Sequence, residues 1–247
     1  SVFEKVVLPM IFSPLIGFGI AFLVMVAVLW IFKNVAPAKA SRRFRIAQTA
    51  SAAAMALGHG LQDAQKTMGV ITLTLVTAGM LPSGSIPPLW VILSAAVAMA
   101  LGTYAGGWRI IRTLGKGLVE ISPAQGMAAE TSSAAIILTS SSLGLPLSTT
   151  HVATGSILGS GVGRPGAQVR WGVAGRMGVA WLVTLPAAAA MGAVAWLIAN
   201  GIGGATGMLV VFAILVAGCF AMWLRSRKAP VNPDNVNADW EEGLEPA

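Results

Sequence analysis

Charge is scarce in this chain. Asp, Glu, Lys and Arg make up 10% of its 247 residues, against about 25% in a soluble globular protein. So few charges cannot coat a water-facing surface of this size, which excludes a soluble enzyme and a disordered protein. Cysteine is nearly absent. Cys219 alone leaves no disulfide framework within the chain and no cysteine-rich metal site. The alternating apolar pattern of a membrane β-barrel is missing too, because the apolar runs are continuous. What remains is a chain that is 55% hydrophobic, with a mean hydropathy of +0.77. The net charge is +7, but the basic residues lie between apolar runs and form no basic face, so a nucleic-acid partner is not expected.

These features predict an all-α polytopic membrane protein. A bilayer core takes roughly 20 apolar residues in helix. Residues 6–32, 88–106, 171–199 and 206–224 meet this requirement, with Pro186 a candidate kink in the third. Residues 225–247 read as a solvated cytoplasmic tail behind a transmembrane part of residues 1–224. Two further apolar regions do not read as simple helices. Residues 46–80 are interrupted by Gly58, Gly60 and Gly69 and carry His59, Gln62, Asp63, Gln65 and Lys66. Residues 122–162 are rich in Ser, Thr and Gly and break at Gly144-Leu145-Pro146. Broken, polar, glycine-rich apolar segments point to a transporter binding site.

Basic residues mark the cytoplasmic side. They cluster at Lys33–Arg45, Arg109–Lys116, Arg164–Arg176 and Arg225–Lys228, and of all sixteen only Lys5 and Lys66 fall outside these clusters. The loops 81–88 and 200–207 have none. All four clusters share one side if 46–80 crosses once and 122–162 enters and leaves by the same side. The expectation is therefore about five crossings plus a re-entrant helical hairpin. Six Trp residues (30, 90, 108, 171, 196 and 223) lie near the expected helix ends, where interface anchoring accounts for them.

Two carboxylates stand out at membrane depth, where each costs roughly 2.5–3.5 kcal/mol on insertion scales. Asp63 shares a face with His59 and Lys66 if its segment is helical. If the segment unwinds at the glycines, backbone carbonyls and the carboxylate suit a small cation. An ion pair that only pins two helices is the bland alternative. Glu130, followed by Thr131, Ser132 and Ser133, reads as a cation ligand, a proton carrier or a carboxyl satisfied by hydroxyls. The hairpin tip carries the clearest pattern. Gly144 stops one arm, and Ser148, Thr149 and Thr150 stand at the N-cap of the next. A helix N-terminus with hydroxyl donors suits an anion such as phosphate, although small residues also let two arms pack closely. His59 and His151, at glycine- or proline-marked breaks, suit hydrogen bonding or proton exchange.

Two stretches carry a family resemblance. Gly58-His59-Gly60-Leu61-Gln62-Asp63-Ala64-Gln65-Lys66-Thr67-Met68-Gly69 resembles the H-G-x-N-D-x-Q-K-x-x-G signature of bacterial inorganic phosphate transporters of the PiT family. Pro123 to Glu130, continued by Gly144-Leu145-Pro146-Leu147-Ser148-Thr149-Thr150-His151, resembles that family's second signature. Gln62 stands in place of Asn, Leu61 in place of a small or polar residue, and Ser122 in place of Thr. The resemblance spans about residues 45 to 225. It implies a two-repeat, inverted-repeat secondary transporter that moves inorganic phosphate with H⁺ or Na⁺, in many bacterial members as a neutral metal complex.

Site roles follow from the same resemblance. Gln62 and Asp63 match its cation- and phosphate-contacting pair, Glu130 its cation-linked acid, and Ser148, Thr149 and Thr150 its phosphate cradle. Lys66 would help offset the anion, with His59, His151, Gln65 and Ser132 in support. No catalytic residue, resident metal or cofactor beyond the coupling cation is expected. The expected partners are the N-terminal repeat, a second copy in a homodimer and the lipid bilayer. Each signature occurs once and the chain starts at Ser1, so it reads as the C-terminal repeat alone, which by itself would not transport. The rivals are a sulfate or other oxyanion permease, a passive anion channel and a structural subunit. Phosphate keeps a proton at neutral pH and sulfate does not, so an acceptor such as Asp63 favours phosphate.

Overall fold

The structure, a computed structural model, describes residues 7–105, 107–145, 147–228, 231, 235 and 236. It is all-α, as expected. Among the described residues the only extended pairing is a single antiparallel bridge, Val119 with Val169. The helices are α1 (Leu8–Phe32), α2 (Pro37–Thr77), α3 (Leu89–Ala105), α4 (Trp108–Arg112, running into a π-helical turn Thr113–Gly117), α5 (Pro123–Ser142), α6 (Thr149–Val162), α7 (Trp171–Ile202) and α8 (Gly204–Ser226). The described residues up to Val169 form one compact unit and those from Arg170 another. Pro146, Lys5 and most of the 225–247 tail lie outside the described residues.

In the first unit the α5–α6 hairpin packs on both α1 and α2, with α1 chiefly against α6 and α2 against α5. At the α1–α6 seam small residues bring the two backbones into contact. Ser13, Gly17, Ala21, Met25 and Val28 form the buried stripe of α1. Opposite it, a Cβ on Gly155 would collide with the Pro14 carbonyl, and one on Gly159 with the Phe18 carbonyl. One on Gly163 would stand 3.1 Å from the Phe22 carbonyl. The four-residue spacing on both helices is the small-residue pattern that lets membrane helices touch backbone to backbone. Packing therefore accounts for these α6 glycines.

α5 begins on a capping box. The Gln125 N–H donates to Ser122 Oγ at 3.5 Å and the Ser122 N–H to Gln125 Oε1 at 3.0 Å. Arg164 Nη1, from beyond the end of α6, donates to the same Oε1 at 2.8 Å. Together with the Val119–Val169 bridge, this ties the two feet of the hairpin side by side. α5 ends as the sequence predicts. Gly144 takes φ +67°, and the Leu145 N–H returns to the Ser140 carbonyl at 2.9 Å, closing a left-handed cap.

α2 departs from expectation. It runs unbroken for 41 residues through Gly58, Gly60 and Gly69, so the unwound alternative fails and His59 lies on a smooth helix. Each glycine costs a helix only about 1 kcal/mol, which burial against α5 outweighs. Gly58 serves that packing directly, since a Cβ there would stand 3.2 Å from Ile137. The stretch carrying Arg109, Arg112 and Lys116 is helical.

α1, α7 and α8 are long and apolar enough to cross a bilayer, and a fourth span results if α3 is joined to the helix after it. α2 does not meet that test on composition, because Arg42, Arg43 and Arg45 near its start and His59, Gln62, Asp63, Gln65 and Lys66 in its middle lower its hydropathy. In the second unit α7 passes through Pro186 as one helix and packs against α8, where Gly207 fits against the Ala199 carbonyl. Near two helix ends a cation covers an exposed Trp: Lys33 over Trp30 at 5.8 Å and Arg227 over Trp223 at 4.9 Å.

Candidate functional site

The middle of α2 meets the tip of the hairpin. Because α2 stays helical there, His59, Asp63 and Lys66 fall on one face. Asp63 Oδ2 lies 3.2 Å from His59 Nε2, and Asp63 Oδ1 accepts from Lys66 Nζ at 3.0 Å. Thr149, in the first turn of α6, places its hydroxyl 3.4 and 3.3 Å from the two carboxylate oxygens. Asp63 is thus a junction between α2 and the hairpin, and not merely half of an ion pair.

Three further bonds hold the hairpin to α2. Lys66 Nζ donates to the Leu147 carbonyl at 2.9 Å. Gln62 Nε2 donates to Ser140 Oγ and to the Leu145 carbonyl, both at 3.3 Å. Gln62 and Lys66 are one helical turn apart, and they grip two carbonyls of the turn, those of Leu145 and Leu147. Ser148 caps α6 by accepting the His151 N–H at 3.4 Å, which leaves its hydroxyl proton for another acceptor. Thr149 is buried and Thr150 exposed. Gln65 lines the same region beside Lys66. His151 sits in the first turn of α6, with Nδ1 3.3 Å from the Met10 carbonyl of α1.

Glu130 does not join this cluster. Its Oε2 accepts from Ser51 Oγ at 2.6 Å, and Gln48 lies against Gly126, one turn before it. Ser51 and Asp63 are twelve residues apart on α2, which at 1.5 Å per residue is about 18 Å. The two carboxylates thus lie at separate polar stations along α2. Ser132 faces neither, since its hydroxyl is spent on the Ala128 carbonyl at 2.7 Å. Among the described residues no group of three or more His, Cys, Asp and Glu converges as a metal site would.

Sequence reasoning passed over Gln48, Ser51, Ser140, Ser141 and the Gln125–Arg164 pair. A signal for the first two was present. Gln48, Ser51, Gly58, Gln62 and Lys66 recur at intervals of three, four or seven and mark one polar, small face of α2.

Several apolar helices of spanning length define a multi-pass membrane protein. The chain matches the phosphate transporter family over residues 1–192, and it belongs to that family, which is one of transporters and not of enzymes. It is similar to a "Probable low-affinity inorganic phosphate transporter" of Mycobacterium bovis, 56% identical over 249 residues, covering 99% of this chain and 59% of the relative. Proteins of the same description are 44% identical in Rhizobium meliloti (77% of this chain, 57% of the relative) and 43% identical in Bacillus subtilis (80% and 60%). The chain spans about three-fifths of the length of these curated relatives. No solved structure matches it. Family and helices together place it in the cell (inner) membrane.

Proposed function

We propose that this chain forms one repeat of an inverted-repeat secondary transporter that carries inorganic phosphate with a cation. The observation that carries this reading is the tip cluster: Asp63, Lys66 and Thr149 joined at the N-terminus of α6, beside Ser148 and Thr150. A helix N-terminus offers unpaired N–H groups and partial positive charge to an anion. Ser148, Thr150 and Lys66 add donors. In this reading 122–162 is a re-entrant hairpin, the side-by-side feet of which support entry and exit on one side. The N-terminal repeat completes the site, and two copies form a homodimer. The similarity to probable inorganic phosphate transporters supports phosphate as substrate.

Glu130 carries the coupling ion in this reading, and its geometry favours H⁺ over Na⁺. Ser51 Oγ lies near two acceptors, Glu130 Oε2 at 2.6 Å and the Gln48 carbonyl at 3.0 Å. One hydroxyl proton cannot serve both, whereas a protonated Glu130 donating to Ser51 satisfies the chain Glu130–Ser51–Gln48.

The test is labelled-phosphate uptake by the full transporter in proteoliposomes. Uptake should rise with an imposed proton gradient, persist without Na⁺ and survive excess sulfate. Glu130→Gln should abolish the acceleration by the gradient, about tenfold or more, while gradient-free phosphate exchange continues. Uptake indifferent to every cation gradient points to a passive anion channel. Uptake blocked by sulfate points to a general oxyanion permease. Wild-type assembly with no uptake, together with Asp63→Asn and Ser148→Ala changing assembly alone, points to a structural subunit.

A further inference from the structure

We propose that Gln62 and Ser141 form the part of the site that reads the proton on the oxyanion, accepting phosphate and refusing sulfate. This rests on the phosphate reading above. A cavity of about 200 Å³ at the hairpin tip is lined by Gln62, Gln65, Lys66, Ser141, Gly144 and Leu145. Gln62 is 4% exposed. Its amide orientation is fixed, because Nε2 faces the Leu145 carbonyl, which only accepts; the flipped amide would set two acceptors against each other. Gln62 Oε1 is therefore a buried acceptor, and it has no protein partner.

Ser141 differs from its two neighbours in the same way. Ser140 and Ser142 donate to the Ile137 and Thr139 carbonyls at 2.9 and 2.8 Å. Ser141 Oγ is buried without a partner. Gln62 and Ser141 thus line the cavity beside the Lys66 cation, and each carries one buried polar atom with no protein partner, an acceptor and a hydroxyl, just behind its wall. That set fits a tetrahedral anion with unprotonated oxygens for Lys66 and Ser141 and one O–H for Gln62 Oε1. Phosphate and arsenate keep such a proton near neutral pH. Sulfate has none and would turn a lone pair toward Oε1.

Asp63, the acceptor favoured from sequence, is less free for this role. Lys66 and His59 each take one of its oxygens, and Thr149 lies across both. A site built to hydrogen-bond a hydroxyl strongly rejects an analogue that lacks it.

The experiment measures competition by arsenate and by sulfate against labelled-phosphate uptake by the full transporter in proteoliposomes. In the wild type, arsenate should compete within about tenfold of unlabelled phosphate and sulfate at least about 100-fold more weakly. Gln62→Met should narrow the phosphate-over-sulfate ratio to about tenfold, and Gln62→Asn, which keeps the carbonyl, should restore most of it. Ser141→Ala should weaken phosphate and arsenate alike by about tenfold. If Gln62→Met does not reach the membrane, Gln62→Lys decides: a donor at that position should raise sulfate competition about tenfold. The proposal is overturned if Gln62→Met weakens phosphate, arsenate and sulfate by one common factor, if Gln62→Lys leaves sulfate competition unchanged, or if wild-type sulfate competes as well as arsenate. Absence of any uptake displaceable by unlabelled phosphate overturns the phosphate reading itself.

Discussion

Asp63→Asn is expected to reduce phosphate uptake by the full transporter on the order of 100-fold, with the protein still inserted and helical. The carboxylate binds Lys66 at 3.0 Å and His59 at 3.2 Å, and Thr149 lies within 3.4 Å. An Asn keeps the shape but has one acceptor oxygen and no charge. Two charge-assisted hydrogen bonds weaken, each worth about 1.5 kcal/mol, and every 1.4 kcal/mol is about tenfold. Lys66 then loses its partner on α2 and retains only the Leu147 carbonyl. Uptake rates at matched protein amounts check this, beside circular dichroism in detergent. Uptake within threefold of wild type would remove Asp63 from the transport site. Helical signal lost in parallel with uptake would recast it as a structural pin.

The second large effect concerns folding. Gly159→Val should lower the midpoint of thermal unfolding by roughly 10 °C or prevent accumulation in the membrane. A side chain at this position runs into the Phe18 carbonyl, which belongs to the helical backbone and cannot turn aside as a side chain would. Overpacking costs typically about 1–3 kcal/mol, and a rigid backbone obstacle puts this case at the upper end. For a protein of this size each kcal/mol is worth about 2–4 °C. Gly69→Ala is the control. It lies mid-helix in open space, and Ala should leave the midpoint unchanged or raise it slightly. Equal losses from both substitutions would mean that generic helix effects, and not the α1–α6 seam, set the outcome.

Much of this arrangement was legible in the residues. Apolar runs of bilayer length located α1, α7 and α8 to within a few residues, because a span has to be long and apolar. Gly144 and Ser148 fixed the ends of the two hairpin arms, because helix stops and caps have local chemistry. The shared face of His59, Asp63 and Lys66 followed from helical spacing alone. The course of α2 did not follow. Its glycines read as breaks, since the compensating burial against α5 comes from residues about eighty positions away. The separation of Glu130 from Asp63 was hidden for the same reason: a one-dimensional sequence shows that two carboxylates are unusual, but not that about three helical turns separate them. Gln62 and Ser141 gained their meaning only from which of their polar atoms stay uncommitted, a property of the packed tip.

The glycine seam also bears on how such a molecule can move. Side chains that interdigitate can trade rotamers and slip by small steps, but two backbones in direct contact have nothing to repack. Where Gly155 and Gly159 meet the Pro14 and Phe18 carbonyls, α1 and α6 therefore have little room to slide past each other. On the opposite flank the tip is held to α2 by hydrogen bonds from Gln62, Lys66 and Thr149, which can open and close one at a time. Any movement of the tip away from α2 therefore has to break the hydrogen bonds of Gln62, Lys66 and Thr149.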